Sequence, residues 1–442
     1  MQTEYDLVII GAGLVGASLA CALADTPLKI AIVEQFEMSD HNHASYDDRS
    51  VALSYGSRLL FETFGFWDSI ESLAEPIKQI HVSEKNRFGS TRLNCESESV
   101  KALGYVIENR SLGNLLLKRI ESAANITMFC PAELQSIDNE SIAVDSITGS
   151  ACYSKILISY QAKKIELRAK LLIAADGVQS RVRELLDIKV SQHKYHQSAI
   201  ICNVTPELAH NGVAWERFTD TGPLAFLPLP DFSRDNISKN NFAVETPVAS
   251  SLTSSLQHSP RCSVVWTVLS EQVKEIMVLD DESFLKRLQS RFGYSLGHLE
   301  KTGKRSVYPL SLLQAEKTVL ANTVLIGNAL HTLHPVAGQG FNLGLRDVGL
   351  LAELLLDAVD AGQNIANQEL LACYTETREE DYRRVIRFTD NLVRWFSFNL
   401  RPAQITRSIG LVLIDRVPWL KSAIARRAMG LGSSSSSRRS RP

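Results

Sequence analysis

The chain has 442 residues, of which 45% are hydrophobic and 22% charged, and its formal net charge is −2. This length predicts two or three domains, and the composition excludes a disordered or fibrous chain. The near-neutral charge argues against a nucleic-acid partner, since proteins that bind nucleic acids usually carry a strong basic excess.

Seven cysteines are scattered along the chain without a CxxC pair. This pattern disfavours a disulfide framework and a zinc cluster, and it suits a reducing compartment. We see no signal peptide before the first predicted strand, and Arg or Lys interrupts every apolar run that could cross a bilayer. We therefore predict a cytoplasmic protein whose membrane contact is at most peripheral, on the inner face of the cytoplasmic membrane.

The N-terminal segment predicts a strand, a glycine-rich turn, a helix and a second strand. Gly11, Gly13 and Gly16 form a GxGxxG pattern directly after the first strand. Glycines at this spacing allow a tight turn and a close approach to a pyrophosphate, which the free N–H groups of the helix then meet. Glu34 ends the second strand, where an acid can bind ribose hydroxyls. The whole pattern predicts a dinucleotide site rather than an ordinary glycine-rich turn.

Helical and alternating apolar patterns then predict the rest of the secondary structure. In chain order we predict a loop at 35–50, a helix at 54–64, strands at 78–84 and 102–108, a helix at 111–123, short strands over 126–174, strands at 198–204, 224–229 and 262–269, a polar loop at 231–260, a strand at 323–326, helices up to about 429 and a disordered tail at 432–442.

Two further segments follow predicted buried strands and open helices. In the first, Asp176 and Gly177 form a turn that would be common on its own. The second runs from Gly327 to Asp347, and its small residues from Ala337 to Gly340 let the backbone pass close to a flat ligand. A helix N-terminus aimed at a flavin would stabilise the negative charge of the reduced ring.

These signals lie far apart in the chain, with β-rich material between them, so we predict one discontinuous domain with another domain inserted. The predicted boundaries are 1–75, 105–185 and 310–365 for the dinucleotide-binding domain, 76–104 and 186–309 for the inserted domain, 366–431 for a C-terminal helical region and 432–442 for the tail.

Over about residues 5–430 the chain resembles the class A FAD-dependent aromatic hydroxylases, and within them the branch of ubiquinone biosynthesis. The resemblance rests on the segment from His334 to Asp347, on Arg49 with its neighbours, and on Glu108-Asn-Arg110. Shorter matches are Trp215-Glu216-Arg217-Phe218, Gly222-Pro223-Leu224, Gly303-Lys-Arg-Ser306 and Tyr308-Pro309-Leu310.

The resemblance implies an α/β fold like that of para-hydroxybenzoate hydroxylase: a Rossmann-like FAD domain, an inserted mixed β-sheet substrate domain and a helical C-terminus. The residues it assigns to the cofactor, together with those of the turns above, are Gly11, Gly13, Gly16, Glu34, Arg49, Arg110, Asp176, Gly177, Gly327, Asn328, Pro335, Gly338, Gln339, Gly340 and Asn342. Asn328 is a departure, because most of the superfamily has an Asp there that binds the ribityl chain. Asn keeps the hydrogen-bonding reach without the charge.

The implied reaction is monooxygenation of a polyprenylated phenol, with O2 as co-substrate and either NAD(P)H or a reductase as electron donor. The implied substrate is a 2-polyprenyl-6-methoxyphenol, converted to its 1,4-benzoquinol. Further partners would be other ubiquinone-biosynthesis proteins and a membrane surface. Since the cofactor carries the chemistry, we nominate no catalytic side chain and no metal site.

Three alternatives remain open. A flavin halogenase shares the fold, but its Trp-x-Trp-x-Ile signature is missing. The chain could instead hydroxylate another aromatic compound, or be a non-catalytic FAD-binding subunit of a biosynthetic complex.

Several side chains have an ordinary explanation beside a functional one. His331 and His334 have the spacing of a metal pair, but no third ligand is evident, so loop histidines beside a cofactor explain them better. Tyr195, His196 and Tyr308 are candidate partners for a substrate phenol. The region from Leu392 to Leu431 mixes bulky apolar with basic residues, which fits either an interfacial helix or a segment docked on the FAD domain.

Overall fold

The computed structural model describes residues 2–38, 49–142, 151–231, 260–332, 338–397, 410 and 412–431. Within these ranges the strands are β1 Gln2–Ile10, β2 Ile30–Val33, β3 Ser50–Ser54, β4 Glu75–Ile77, β5 Gln79–Glu84, β6 Ser90–Asn94, β7 Gly104–Glu108, β8 Ile126–Phe129, β9 Ala132–Ile142, β10 Ala151–Tyr160, β11 Lys163–Ala174, β12 Val190–Pro206, β13 Val213–Thr219, β14 Gly222–Leu229, β15 Arg261–Leu269, β16 Leu299–Thr302, β17 Ser306–Ala315, β18 Val319–Leu320, β19 Thr323–Leu325 and β20 His331–Thr332.

The helices alternate with these strands and dominate the C-terminal part. They are α1 Leu14–Ala22, α2 Tyr55–Thr63, α3 Trp67–Glu71, α4 Asn109–Ser122, α5 Arg181–Leu185, α6 Val273–Met277, α7 Asp281–Phe292, α8 Gln339–Asp360, α9 Gln368–Ser397 and α10 Pro418–Ala428.

An eight-stranded sheet forms the first layer, in the order β18-β19-β11-β1-β2-β8, with β10 and β9 added beside β11. Strands β19, β11, β1, β2 and β8 are parallel. Every residue of β2 is buried, as expected for a parallel strand covered on both faces. Leu7 and Ile9 of β1 join one core cluster while Val8 and Ile10 join another, so apolar cores lie on both faces of the sheet.

A nine-stranded sheet forms the second layer, in the order β20-β17-β12-β15-β14-β13-β5-β6, with β16 beside β12. Its pairs are antiparallel except for β13 with β5. One face packs on α7, where Phe226 and Phe292 stack with ring centroids 3.8 Å apart. A small sheet of β3, β7 and β4 packs against the other face. The predicted fold class, with its inserted mixed sheet and helical C-terminus, is thus confirmed.

The C-terminal helix α10 docks on the rest of the protein rather than standing free. Ala425 and Met429 are buried in a cluster with Leu93 and Leu103, and the Met429 carbonyl accepts a hydrogen bond of 2.8 Å from the Gly56 N–H. This side of α10 is therefore packed against β6 and α2. Other apolar residues of the region, Leu413 and Trp419, are 53% and 72% exposed.

Most predicted elements occur where expected, including α2, α4 and α8, but within the described residues three helices were missed: α3, α6 and α7. The stretch from β15 to β16 was predicted to hold only β patterns, whereas it contains α6 and α7. The signals of α7 are present in the sequence: Phe284, Leu288 and Phe292 recur at helical spacing, and Asp280 caps the Ser283 N–H at 2.8 Å. The predicted loop at 231–260, the tail at 432–442 and most of the loop at 35–50 lie outside the described residues.

Candidate functional site

The three predicted nucleotide segments meet at one edge of the eight-stranded sheet. Parallel strands β1, β2, β11 and β19 all end there, and their ends lead into Gly11, Glu34, Asp176 and Gly327. Open α/β sheets bind ligands outside the carboxyl ends of their strands. The structure therefore brings together segments that lie more than 300 residues apart in the chain.

The glycine-rich turn contains two different kinds of glycine. Gly11 has a φ of +101°, and a Cβ atom there would lie 2.6 Å from the Ala175 carbonyl oxygen. A Cβ atom on Gly16 would lie 2.1 Å from the Gly11 carbonyl oxygen. Gly13, at the start of α1, would meet no described atom within 4 Å. The fold itself thus requires Gly11 and Gly16, while Gly13 leaves space for a ligand.

Glu34 holds this turn against the end of β2. Its carboxylate accepts hydrogen bonds from the backbone N–H groups of Ala12 at 2.7 Å and Phe36 at 2.9 Å, and the side chain is buried. The turn is therefore fixed by an acid that the sequence assigned only to ribose binding. The ribose contact stays a prediction.

Asp176 lies beside the glycine-rich turn, and its two carboxylate oxygens differ in their hydrogen bonding. Oδ2 accepts a hydrogen bond from the Val182 N–H at 3.0 Å, while the buried Oδ1 has no hydrogen-bond partner among the described residues. Burial raises the pKa of the Asp176 carboxyl. A buried oxygen of this kind needs a donor from a ligand or water. Gly177 beside it would meet no described atom with an added Cβ.

Arg183 connects the second segment to the third, a role that the sequence analysis did not assign. Its guanidinium donates to the carbonyl oxygens of Val178 and, at 2.6 Å, of Ala329. The side chain is buried, and burial lowers the pKa of this guanidinium. An arginine in the helix that follows a predicted nucleotide turn is the signal that could have identified it.

The third segment packs on α1 and opens α8. A Cβ atom on Gly327 would lie 3.0 Å from Val15 Cγ2, whereas Asn328 beside it is exposed. Gly338 precedes α8 with a φ of +60°, and an added Cβ would lie 3.3 Å from the Ala52 Cβ. Gly340, like Gly13, would meet no described atom within 4 Å.

A buried ionic network fixes the Gly327 turn from below. Asp347 of α8 accepts the Gly327 N–H at 2.9 Å, the Tyr382 hydroxyl at 2.6 Å and the Arg378 Nε at 2.8 Å, and it lies 3.2 Å from His331 Nε2. Arg378 also pairs with Asp381 at 2.6 Å. Burial alone would raise the pKa of Asp347, but Arg378 and His331 outweigh it and lower this pKa to about 2.

Sequence reasoning missed this network because its members come from three elements that only the fold brings together. His331 is thus an internal partner of a carboxylate. No group of side chains suited to a metal ion occurs within the described part of the chain. His334 and Pro335 lie outside the described residues.

Three further predicted cofactor residues lie in the first turns of α8 and α4. The Asn342 amide is fully engaged: it accepts from the Ser54 N–H and the Ser57 hydroxyl, and donates to the Ala52 and Gly338 carbonyls, at 2.6–2.8 Å. It therefore holds β3 against the start of α8. Gln339 is buried in the first turn of α8, and Arg110 is exposed on the first turn of α4.

Arg49 and Tyr308 connect the two layers at the site. The Arg49 guanidinium lies 4.5 Å from the centre of the Tyr308 ring, in cation–π geometry. Tyr195 instead packs on His193, and His196 is exposed at a bulge of β12. Tyr308, one of the three candidates for a phenol contact, thus lies beside a predicted cofactor residue.

The residues present fit an FAD molecule. Among the described residues, Gly13, Gly177 and Gly340 leave open space at one strand edge and a buried Asp176 oxygen lacks a donor; the N-termini of α1 and α8 lie at the same edge. Helix N-termini bind pyrophosphate groups, and they also stabilise the charge of a reduced flavin.

Comparison with known proteins agrees with this fit. The family model of the FAD binding domain matches residues 4–389. Ubiquinone hydroxylase UbiL of Rhodospirillum rubrum is 32% identical over 428 residues, covering 96% of this chain and 89% of that protein. The 3-demethoxyubiquinol 3-hydroxylase of Escherichia coli is 27% identical, covering 96% of this chain and 98% of that protein.

Solved structures show the same architecture. The p-nitrophenol 4-monooxygenase PnpA of Pseudomonas putida superposes with a TM-score of 0.75 at 16% identity, covering 98% of this chain and 100% of that one.

Proposed function

This chain belongs to the FAD binding domain family, and on that premise we propose that it hydroxylates a polyprenylated phenol in ubiquinone biosynthesis. One oxygen atom of O2 enters the ring as a hydroxyl group. The other leaves as water, with two electrons and two protons from NAD(P)H or a reductase. The observation that carries the proposal is the convergence of three cofactor segments at one strand edge that faces the inserted sheet.

Each part of the site has a role in this proposal. Gly13 and the N-terminus of α1 would hold the pyrophosphate, Glu34 the ribose, and the Gly338–Asn342 turn the ring. Arg49, Arg110, Asp176, Gly177, Gln339 and Asn328 would complete the cofactor contacts. FAD supplies the activation of O2 and the transfer of oxygen, while the protein orients the two reactants and excludes water.

The names of two relatives support the substrate class, since both contain ubiquinone or a ubiquinol intermediate. We propose 2-polyprenyl-6-methoxyphenol as the substrate and its 1,4-benzoquinol as the product. The proposed division of the chain follows the two large sheets, with the FAD-binding part around the eight-stranded sheet and the substrate part around the nine-stranded sheet.

A long prenyl tail requires a route from the lipid phase, because each exposed CH2 group costs about 0.8 kcal/mol. No helix in the described part of the chain is both long and apolar enough to span a membrane. We propose peripheral contact through the exposed Leu413 and Trp419, next to the basic residues Arg416 and Arg426. Other ubiquinone-biosynthesis proteins are the proposed protein partners.

A strain that lacks this gene and any second hydroxylase of the same step tests the proposal. The wild-type gene should restore ubiquinone, whereas Gly340→Val should leave a prenylated methoxyphenol to accumulate, because the branched side chain enters the space reserved for the ring. Quinone profiling by mass spectrometry measures both. Normal ubiquinone with Gly340→Val, or no precursor accumulation without the gene, would contradict the proposal.

A further inference from the structure

An ionisable residue, Glu216, lies in the middle of the nine-stranded sheet with its side chain on the face opposite α7. Glu216 of β13 pairs with Ala225 of β14 and with Val82 of β5. Ala225 pairs with Val265, and Val265 with Ile201. Side chains of directly paired residues lie on the same face of a sheet. Glu216 therefore belongs to a row of otherwise apolar residues that crosses the middle of the sheet.

That face looks towards the proposed cofactor. Ala214, two residues before Glu216, packs with Val106 of β7, and Leu227 of the same face packs with Ala52. Ala52 in turn adjoins Gly338, where α8 begins. The flanking residue Trp215 lies on the opposite face, with its ring centroid 6.1 Å from that of Phe292 of α7. Glu216 thus lies on the side of the sheet that faces the cofactor-binding part of the chain.

This face contains polar groups without protein partners. The hydroxyl oxygens of Ser263 and Thr267, both at most 1% exposed, have no hydrogen-bond partner among the described residues. Glu216 is half-buried, and in the described part of the chain its carboxylate takes part in no hydrogen bond or ion pair. Buried polar groups without partners are costly unless a ligand or water satisfies them. The face is therefore suited to a ligand that is largely apolar but contains polar oxygen atoms.

Among the described side chains, the other charged groups on or against this face are paired, stacked on a ring or nearer its edges, including Lys301 of β16 opposite Thr205. Arg261 pairs with Glu108 at 2.7 Å, and Arg49 lies over Tyr308. Glu84 lies opposite Phe218 towards the sheet edge. Asp231 lies beyond the end of β14, about 20 Å from Ala225 at ~3.4 Å per residue, and it interacts with Glu75 of β4.

From this placement we propose that the Glu216 carboxylate contacts the phenol hydroxyl of the substrate and accepts its proton, which makes Glu216 a catalytic residue. The inference rests on the proposed hydroxylase function. In the step, the phenol O–H bond breaks, the proton moves to a Glu216 oxygen, and the electron pair stays on the phenolate oxygen. The ring carbons become more nucleophilic towards the oxygen that they receive, and the proton returns to water before the next turnover.

The ionisation of Glu216 suits this role near neutral pH. Burial raises the pKa of its carboxyl to about 7. A general base works best when its pKa is close to the operating pH. Because the ionised form is the active one, kcat/KM should rise with pH and level off above about 7. Glu75 has a pKa raised to about 7 as well, by burial and by Asp231, so it offers a matched control.

The test compares Glu216→Gln with Glu75→Gln in the FAD-loaded protein, on a methoxyphenol with a short prenyl tail. For Glu216→Gln we expect kcat/KM to fall about 100-fold or more and to become independent of pH between 6 and 8, the range of the general-base effect. FAD content and substrate binding, followed by the flavin absorbance change, should remain. Glu75→Gln should keep the wild-type pH profile.

The outcomes distinguish failure of the Glu216 role from failure of the proposed function. If wild type hydroxylates the phenol but Glu216→Gln keeps its rise with pH, the role of Glu216 is refuted while the proposed function stands. If wild type itself does not hydroxylate the phenol, the proposed function fails first. If the Gln variant loses FAD, Glu216→Asp replaces it: a retained rise with pH supports the carboxylate, and its loss in FAD-bound protein refutes it.

Discussion

At the residue scale, the glycines of the first turn have two different roles: the fold requires Gly16, whereas Gly13 leaves room for the proposed cofactor. Gly13 has φ −60° and ψ 171°, an extended conformation that valine adopts readily, and an added side chain meets no described atom. Gly16 has no such freedom, because an added Cβ would lie 2.1 Å from a backbone oxygen. The two positions look equivalent in the GxGxxG pattern, and only the structure distinguishes them.

We therefore expect Gly13→Val to fold normally but to lose FAD, because its branched side chain occupies the space of the pyrophosphate. Circular dichroism and bound-flavin absorbance measure the two properties on the same sample. Gly16→Val is the matched comparison and should fail to fold. A Gly13→Val protein that keeps wild-type FAD content would show that the pyrophosphate does not pass there.

At the element scale, α8 and α9 are joined by Asp347, Arg378 and Tyr382, and the same carboxylate holds the Gly327 N–H. Removing one partner of a buried ion pair costs about 3–5 kcal/mol; without Asp347, Arg378 would keep Asp381, but the Tyr382 hydroxyl and the Gly327 N–H would lose their acceptor. The position of the cofactor turn and the stability of the helical layer thus depend on one residue.

Asp347→Asn should accordingly lower the free energy of unfolding by about 3–5 kcal/mol and weaken FAD binding. Glu376→Gln, an exposed change on α9, should stay within about 0.5 kcal/mol of wild type. Urea denaturation and flavin titration measure both effects. Equal stability of the two variants would exclude a stabilising role for the network.

The lowered pKa of Asp347 also predicts how the stability of the protein changes at low pH. Because the pKa of Asp347 is lowered from 3.8 to about 2, its contribution to stability is complete above its ordinary pKa and is lost as the pH falls towards 2. Wild type should therefore lose thermal stability between pH 4 and 2 more steeply than Asp347→Asn. Parallel slopes in this range, measured by thermal unfolding, would count against the assignment.

At the scale of the whole molecule, the C-terminal segment docks through Ala425 and Met429, while Trp419 of α10 and Leu413 before it are exposed. Replacing Leu413 and Trp419 together by Ser should weaken binding to anionic vesicles about tenfold, equivalent to ~1.4 kcal/mol of lost apolar burial, without loss of FAD. Val278→Ser, which changes an apolar residue that is 82% exposed at the end of α6, is the control. Unchanged vesicle flotation of the double variant would remove this surface from the membrane proposal.

Local sequence patterns were enough to predict the strand ends and turns of the proposed cofactor site. Gly11, Gly13, Gly16 and Glu34 follow strands whose apolar runs are easily recognised, so the cofactor edge could be inferred from sequence. The Asp347–Arg378 pair joins two helices 31 positions apart, and the face of Glu216 depends on strand register across four strands. Neither pairing nor register is encoded in a local pattern, and both could be obtained only from the fold.

Hydroxylation with molecular oxygen is the central claim, and isotope labelling tests it most directly. Purified FAD-loaded protein is supplied with 18O2, a reductant and a prenylated methoxyphenol, and the product is analysed by mass spectrometry. We predict a quinol that carries one 18O atom, formed in proportion to the phenol consumed. Reductant oxidation without labelled product, with the phenol recovered unchanged, would contradict the claim.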